Sequence, residues 1–247
     1  MAFRQTATVG FSDLNQEGRL TLFSLCNLFQ DTSSAHGEAA GQGSLQLLAR
    51  KRAWFLAYGE TNVYRRPMIG EVLQLETWPT KVKGFFGERA YVMKTTAGEV
   101  LADCSTIWVL MDMESLRPTR LTAEEMFREE PGEPLPTSGK GRKIEVPSGL
   151  TAWGEDRVNY LYLDSNCHMN NAYYVGLTEQ FVRGAAVKRF RVEYRKSAVE
   201  GDFIRYFGRR QDDLVTVALE NEKAEVFAVI EYELQTKDKL LQMDQLL

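Results

Sequence analysis

The stretch Leu163-Asp164-Ser165-Asn166-Cys167-His168-Met169-Asn170-Asn171-Ala172-Tyr173-Tyr174 sets the reading of the chain. It carries one of the 2 histidines in the sequence. Asp164, Asn166 and His168 alternate along it: an acid, an amide and an imidazole. The run before it, with Val158, Tyr160, Leu161, Tyr162 and Leu163, predicts a strand end. After it, Tyr173, Leu177 and Phe181 recur every fourth residue, which predicts one helix face. Asn170 and Asn171 stand where a helix start takes a short polar cap. The polar trio therefore falls on a strand-to-helix turn. Backbone N–H groups in the first turn of a helix lack intrahelical partners and can face a developing negative oxygen.

Each residue type has a chemical use. A carboxylate takes a proton from water or attacks a carbonyl directly. An amide holds that water or polarises the carbonyl, and a histidine shuttles the proton near neutral pH. Together they suit acyl-group hydrolysis. The same residues also read as a capped loop with a satisfied histidine, because Asx side chains favour turns for local reasons. Residue types alone leave both readings standing.

Size and composition narrow the field. A chain of 247 residues fits one large domain or two small ones. Apolar residues make 44% and charged residues 26%, ordinary for a globular protein with ample core. A net charge of −4 gives no general attraction to nucleic acid. No run of 18 apolar residues predicts a membrane span. The start, Met-Ala-Phe-Arg-Gln-Thr, has no signal-peptide apolar core. Cys26, Cys104 and Cys167 are scattered and odd in number, which predicts reduced thiols in a cytoplasmic protein. No metal site is expected from so few histidines and cysteines. No glycine-rich phosphate loop appears, so no cofactor is expected either.

Residues 2–12 predict a strand, with Phe3, Thr6, Thr8, Val9 and Phe11 favouring extended backbone. Leu20 to Phe29 is apolar on nearly every side and predicts a buried helix. Asp31–Ser44 predicts the helix end and a loop. Strands are expected over Arg52–Tyr58, Val72–Trp78, Arg89–Thr95 and Leu101–Met111, with bends at Arg66–Glu71 and Gly84–Gly87. Residues 123–143 are rich in Glu and Pro and predict a connector, with room for a short helix at its start. The second half then repeats the first. A strand is expected over Val158–Leu163, a helix from Asn170 to about Arg183, and strands over Val187–Arg195, Gly201–Arg209, Asp213–Asn221 and Ala224–Leu234.

Internal landmarks support the repeat. Asp13-Leu14-Asn15 matches Asp164-Ser165-Asn166 at an offset of 151, and Gly70-Glu71 matches Gly201-Asp202 at an offset of 131. The first half then carries about 20 extra residues, expected within Asp31–Leu48. At the larger offset His168 falls on Glu17, so the second half alone keeps the histidine.

The pattern Asp-x-Asn-x-His-x-Asn-Asn-x-x-Tyr resembles the signature of hot-dog-fold thioesterases, above all the acyl-ACP thioesterases of plants and bacteria. Leu25-Cys26-Asn27-Leu28-Phe29-Gln30-Asp31-Thr32 with His36, Ser105 to Met111, and Val192-Glu193-Tyr194-Arg195 are similar to other family segments. The two-halved layout separates this family from single-domain acyl-CoA relatives. The resemblance implies an α+β fold of two tandem hot dogs, each a curved antiparallel sheet around a helix. The expected layout is residues 1–125, a linker over 126–147, and residues 148–247 with the catalytic motif. It departs from plant members at Ser197 and Ala198, where those carry a Glu-Cys pair. Glu200 or Asp202 is the nearest candidate to replace the glutamate. The departure argues against a cysteine nucleophile.

The resemblance implies hydrolysis of a fatty acyl thioester without cofactor or metal. Asp164 is then base or nucleophile, Asn166 positions water or carbonyl, and His168 orients the acid or protonates the leaving sulfur. Asn170, Asn171 and Tyr173 are candidate substrate contacts, with Tyr174 and Leu177 as tunnel wall or core. Cys167 should point away from the trio on an alternating run. His36 reads as a structural residue near a helix end. The implied partners are the fatty acyl chain and an acidic acyl carrier protein. A candidate dock is Arg183, Lys188, Arg189, Arg191, Arg195 and Lys196 against the single acid Glu193; a solvated strand face explains the same charges. Monomer and homodimer are both open. An acyl-CoA thioesterase, a double hot-dog dehydratase and a non-catalytic acyl-binding module are the competing readings.

Overall fold

A computed structural model of the protein describes residues 2–122 and 130–235. The chain divides into two compact units, Met1–Lys140 and Gly141–Leu247. The short helix considered for the start of 123–143 lies outside the described residues at 123–129.

The first unit opens with β1 (Phe3–Thr8), then α1 (Leu22–Ala39) and α2 (Ser44–Ala49). Four long strands and a short one follow: β2 (Arg52–Val63), β3 (Val72–Lys83), β4 (Phe86–Thr95), β5 (Val100–Asp112) and β6 (Arg117–Pro118). The sheet runs β1-β3-β4-β5-β2, with β6 on β5, and every pairing is antiparallel. Helix α1 starts at Thr21, whose hydroxyl accepts the Ser24 N–H at 2.9 Å. It buries Leu22, Leu25, Phe29, Thr32 and His36, a stripe at helical spacing. Phe29 meets the Tyr91 ring of β4 at 5.3 Å, and Gln5 of β1 donates to the Thr32 hydroxyl at 2.7 Å. The helix is longer than the apolar run predicts. Its last two turns bury Thr32 and His36, polar residues that find partners inside, and hydropathy does not register them. His36 stacks on Phe3 at 5.2 Å and meets the Arg89 guanidinium through Nδ1 at 3.0 Å, the structural role expected of it.

The second unit consists of β7 (Thr151–Arg157), α3 (Asn171–Glu179), β8 (Val187–Tyr194), β9 (Phe203–Gln211), β10 (Leu214–Glu220) and β11 (Val226–Leu234). Its sheet runs β8-β11-β10-β9-β7, again antiparallel. Helix α3 sits on one face: Thr178 and Tyr232 share a hydrogen bond of 2.7 Å, and Tyr174 meets Tyr194 edge-on at 5.4 Å. Val192, Val217, Ile230 and Tyr232 on that face are almost fully buried. The buried side of α3 carries Ala172, Tyr174, Val175 and Thr178. Tyr173, Leu177 and Phe181, which the four-residue spacing selects, are only half-buried.

The strand expected over Val158–Leu163 is absent. The true strand, β7, ends at Arg157, and residues Tyr160–Tyr162 form a 3-10 turn capped by Asn159. Tyr160 and Leu161 stand 74% and 76% exposed there. Bulky residues mimic a strand because β-propensity measures fit to a half-buried pleat, and these residues have none to fit. Strand β7 escapes sequence reading because it is charged and contains Gly154. Trp153 lies over Gly208 of β9 so closely that a Cβ there would come within 2.1 Å of the indole.

The described residues of the connector, from 130 on, bond to the sheet of the unit they belong to. In the first unit, Trp78 Nε1 donates to the Glu133 carbonyl at 2.9 Å, and Ser138 donates through its N–H and hydroxyl to the buried Glu60 carboxylate. In the second, Ile144 is buried, its N–H donating to Glu193 at 2.9 Å, and Arg191 donates to the Gly141 carbonyl at 3.1 Å.

Candidate active site at the start of helix α3

Residues Asp164–His168 form a tight loop closed by the bridge between Leu163 and Met169. Asp164 N–H donates to the His168 carbonyl at 2.8 Å, and Cys167 N–H donates to the Asp164 carbonyl at 3.0 Å. The Asp164 carboxylate closes the loop from inside. Its Oδ1 accepts the N–H groups of Asn166 at 2.8 Å and His168 at 3.2 Å. Its Oδ2 has one long contact among the described residues, Asn166 Nδ2 at 3.4 Å. So the loop brings Asp164 and Asn166 side chains together. Asp164 meets His168 through the backbone amide; no bond joins the carboxylate to the imidazole. One carboxylate oxygen closes the loop, and the other carries only that long contact among the described residues.

The loop has a twin in the first unit. Asn15 N–H donates to the Arg19 carbonyl at 2.8 Å, Gly18 N–H donates to the Asn15 carbonyl at 3.0 Å, and Leu14 bridges Leu20. Asn15 Oδ1 accepts the N–H groups of Glu17 at 3.1 Å and Arg19 at 3.0 Å. Both loops lead to a capping residue, Thr21 or Asn170. The structural offset is therefore 149, not 151: Asn15, Glu17 and Arg19 take the places of Asp164, Asn166 and His168. The Asp-x-Asn match of the sequence is a coincidence two residues out of register. The later offset of 131 holds, since Val9 donates to the Glu71 carbonyl and accepts from Gly70 as Val158 donates to the Asp202 carbonyl and accepts from Gly201. The histidine still belongs to the second half alone, but its counterpart is Arg19 rather than Glu17.

Cys167 sits in the left-handed region, φ 60°, where its twin Gly18 has φ 72°. It is exposed and forms no disulfide, and its left-handed backbone breaks the strand-like alternation from which the direction of its side chain is expected. Asn170 is the helix cap, its Oδ1 accepting the Ala172 N–H at 2.9 Å and its carbonyl the Tyr173 N–H at 3.0 Å. These two helix-start amides are thus satisfied within the protein and do not form the anion cradle that the sequence suggests. Asn171 accepts the Tyr194 hydroxyl on its carbonyl at 3.0 Å, and Tyr173 stacks on Tyr162 at 4.5 Å.

The segment after β8 flanks the loop. Met169 N–H donates to the Ala198 carbonyl at 2.8 Å, and Ala198 N–H donates to the Tyr174 hydroxyl at 2.9 Å. Ala198 is fully buried; Ser197 is half-buried. Asp202 caps the following turn by accepting the Val199 N–H at 2.9 Å, as Glu71 does for Met68 in the first unit. That shared duty makes Asp202 a turn residue first. Burial pushes the Tyr174 phenol up to about 12, against the Ala198 hydrogen bond, with the Asp202 and Asp164 charges adding to it. Tyr174, expected as tunnel wall or core, and Ala198, expected only as a departure from the family pattern, are bonded to each other beside the loop, a pairing that sequence reading missed.

Of the six proposed docking cations, five hold carboxylates of their own unit. Lys188 and Arg189 share Glu233, Arg191 pairs with Glu231 at 2.8 Å, Arg195 with Glu193 at 2.8 Å, and Lys196 with Glu225 at 2.5 Å. Arg191 is 4% exposed and holds the connector, which removes it from any docking surface. No helix among the described residues is long and apolar enough to cross a membrane.

The sequence profile of the acyl-ACP thioesterase N-terminal domain matches residues 1–128. Among curated proteins, oleoyl-acyl carrier protein thioesterase 2 of Arabidopsis thaliana is 25% identical over 227 residues, 82% of this chain and 59% of that protein. Palmitoyl-acyl carrier protein thioesterase of the same plant is 27% identical over 196 residues, 71% of this chain and 46% of that protein. The chain spans about half the length of the curated relatives it matches. Among solved structures, an acyl-ACP thioesterase from Bacteroides thetaiotaomicron superposes with a TM-score of 0.86 at 19% identity, covering 95% of this chain and 98% of that one. The 12:0-ACP thioesterase of Umbellularia californica gives 0.81 at 18% identity, covering 96% and 98%. These likenesses show the tandem hot-dog fold. With the profile covering more than half of its residues, the chain belongs to the acyl-ACP thioesterase family.

Proposed function

We propose that the protein hydrolyses fatty acyl thioesters of acyl carrier protein to free fatty acid and carrier thiol. The observation that carries this is the Asp164 carboxylate, half engaged in closing its loop and half open beside Asn166, in a chain of this family. Asp164 Oδ2 takes a proton from water or attacks the thioester carbonyl. Asn166 holds the water or the carbonyl, and His168 returns a proton to the departing sulfur. Water adds to the acyl carbon, the carbon–sulfur bond breaks, and the thiolate takes the proton released from water.

Ser197 and Ala198 stand where the family resemblance puts Glu and Cys, so no cysteine nucleophile is part of this mechanism. The same departure keeps a second reading alive, a non-catalytic acyl-binding protein that holds the thioester without cleaving it. Docking of an acidic carrier is assigned to the rim cations Arg183, Lys188, Arg195 and Lys196. The setting is a compartment that keeps the three thiols reduced, which we take as the cytoplasm; the curated relatives are chloroplastic.

The test is thiol release across a panel of acyl-ACP chain lengths, with acyl-CoA of matched length beside it. Hydrolysis of acyl-ACP that Asp164→Ala abolishes supports the reading. Tight acyl-ACP binding with no thiol release selects the binding protein instead, and preference for acyl-CoA reassigns the carrier.

A further inference from the structure

Both halves join the turn before a long strand to the loop before their helix with one backbone bond. Leu20 N–H donates to the Pro67 carbonyl, and Met169 N–H donates to the Ala198 carbonyl, each at 2.8 Å. The second half adds a tie that the first cannot make: Ala198 N–H donates to the buried Tyr174 hydroxyl at 2.9 Å. Pro67, in the place of Ala198, has no N–H. Leu25, four residues past its cap as Tyr174 is past Asn170, has no oxygen. Donor and acceptor are present together in one half and absent together in the other. The first half closes without the tie, so it is not a requirement of the architecture.

The phenol is held from behind as well. Tyr194 meets the Tyr174 ring edge-on at 89°, and the Tyr194 hydroxyl donates to the Asn171 carbonyl at 3.0 Å. After accepting from Ala198 the Tyr174 hydroxyl keeps its own proton, and the carboxylates acting on it are Asp202 and Asp164. Asp202 is already occupied as a turn cap. The hydroxyl therefore ties helix α3 to Ala198, the same residue whose carbonyl takes the Met169 N–H at the end of the Asp164 loop.

We propose that Tyr174 is a positioning residue for thioester hydrolysis, fixing the Ser197–Ala198 segment against the Asp164 loop so that the reacting carbonyl meets the carboxylate at a set distance. The proposal rests on the function given above. Misplacing a reacting group by about 1 Å costs roughly 10²-fold in rate, so losing one tie shows in turnover before it shows in binding.

Wild type, Asp164→Ala, Tyr174→Phe and the double variant Tyr174→Leu with Ala198→Pro are compared for thiol release from acyl-ACP, with thermal unfolding alongside. The double variant copies the Leu25 and Pro67 pair of the first half, so no N–H is left without an acceptor. Tyr174→Phe is expected to lower kcat by about tenfold or more with KM within about twofold. The double variant is expected to unfold cooperatively, as wild type does, and to lose at least as much kcat. A kcat within about twofold of wild type in both variants, or a loss confined to KM, overturns the proposal. If Tyr174→Phe does not fold, the double variant alone decides. Absence of thiol release in wild type sinks the function, and an active Asp164→Ala sinks the Asp164 mechanism together with this role. An inactive Asp164→Ala beside fully active Tyr174 variants sinks this role only.

Discussion

Asn15 and Asp164 hold equivalent positions in the two halves, each accepting two backbone N–H groups on Oδ1 to close a five-residue loop. The structural duty of this position therefore needs only one side-chain oxygen, which an amide supplies as well as an acid. The second oxygen of Asp164 is surplus to the fold. Asp164→Asn should then keep the loop, with Asn166 rotating its amide to present oxygen to the new nitrogen. Melting is expected within about 3 °C of wild type, while turnover falls by about 10²- to 10⁴-fold, the usual worth of a base or nucleophile. Asp164→Ala should lose both, because two N–H groups forfeit their acceptor at about 1–3 kcal/mol. Thermal unfolding and thiol release on the same samples check this. A parallel loss of stability and turnover in Asp164→Asn would return the residue to a purely structural role.

Cys167 pays a backbone strain that Gly18 avoids at the twin position. A non-glycine residue in the left-handed region costs about 1–2 kcal/mol, partly offset by the greater freedom of glycine in the unfolded chain. Cys167→Gly should raise stability by about 0.5–1 kcal/mol, read as a higher urea midpoint at unchanged slope. Turnover should stay within about twofold of wild type, since the thiol has no part in the proposed mechanism. Loss of thiol release in this variant would restore the cysteine to the mechanism.

Asn170 was open to two roles, substrate contact and helix cap, and the structure gives it the second. Asn170→Asp keeps the accepting oxygen, and Asn170→Ala removes it. The aspartate variant is expected to match wild-type stability, and the alanine variant to lose about 1 kcal/mol. KM for acyl-ACP should be unchanged in the aspartate variant; a large rise would mean that the amide nitrogen touches substrate.

The sequence made the repeat legible, as well as the long strands of each sheet and the loop that carries the chemistry. Alternating strands such as Val72–Lys83 announce themselves because one face is buried and period two follows. What failed did so for local reasons. Tyr160 and Leu161 look like strand residues by type, but exposure, not type, decides their structure. The register of the repeat was misread because Asp13 and Asp164 share a letter while Asn15 and Asp164 share hydrogen bonds. The buried part of α1 beyond Phe29 was invisible because Thr32 and His36 are satisfied by Gln5 and Arg89, partners far away in sequence.

The carrier dock needs a sharper test than the charge run suggests. Arg191 is bonded to Glu231 twice, at 3.0 and 2.8 Å, and to the connector. Arg191→Ala should destabilise by about 1.5–3 kcal/mol by removing the charged hydrogen bonds of a buried guanidinium, without reporting on docking. Lys188→Glu and Lys196→Glu reverse exposed cations and should cost little stability. If the rim docks an acidic carrier, this pair lowers the association rate for acyl-ACP by about tenfold at low salt, and the difference fades above 0.5 M salt as charges are screened. Equal association rates at low salt would remove the rim from the docking surface.

Cys104 lies buried on β5, and that burial, with the Asp103 and Glu60 carboxylates adding to it against a hydrogen bond from Thr61, pushes its thiol up to about 12. The ordinary value is 9.0. The folded protein therefore keeps the thiol proton over a range in which the unfolded chain releases it. Because the folded value is the raised one, this contribution is fully present below pH 9 and is lost as pH climbs from 9 toward 12. Cys104→Ala should leave stability at pH 7 lower by about 1 kcal/mol from the small void, and it should flatten the alkaline limb of the stability curve. The same burial predicts that a thiol reagent at pH 8 labels exposed Cys167 quickly and Cys104 only with unfolding. Denaturant titrations at pH 7, 9 and 10.5 on both proteins, with labelling rates followed in parallel, decide the matter. An alkaline limb equally steep in the alanine variant would show that other buried groups, and not this thiol, set the loss.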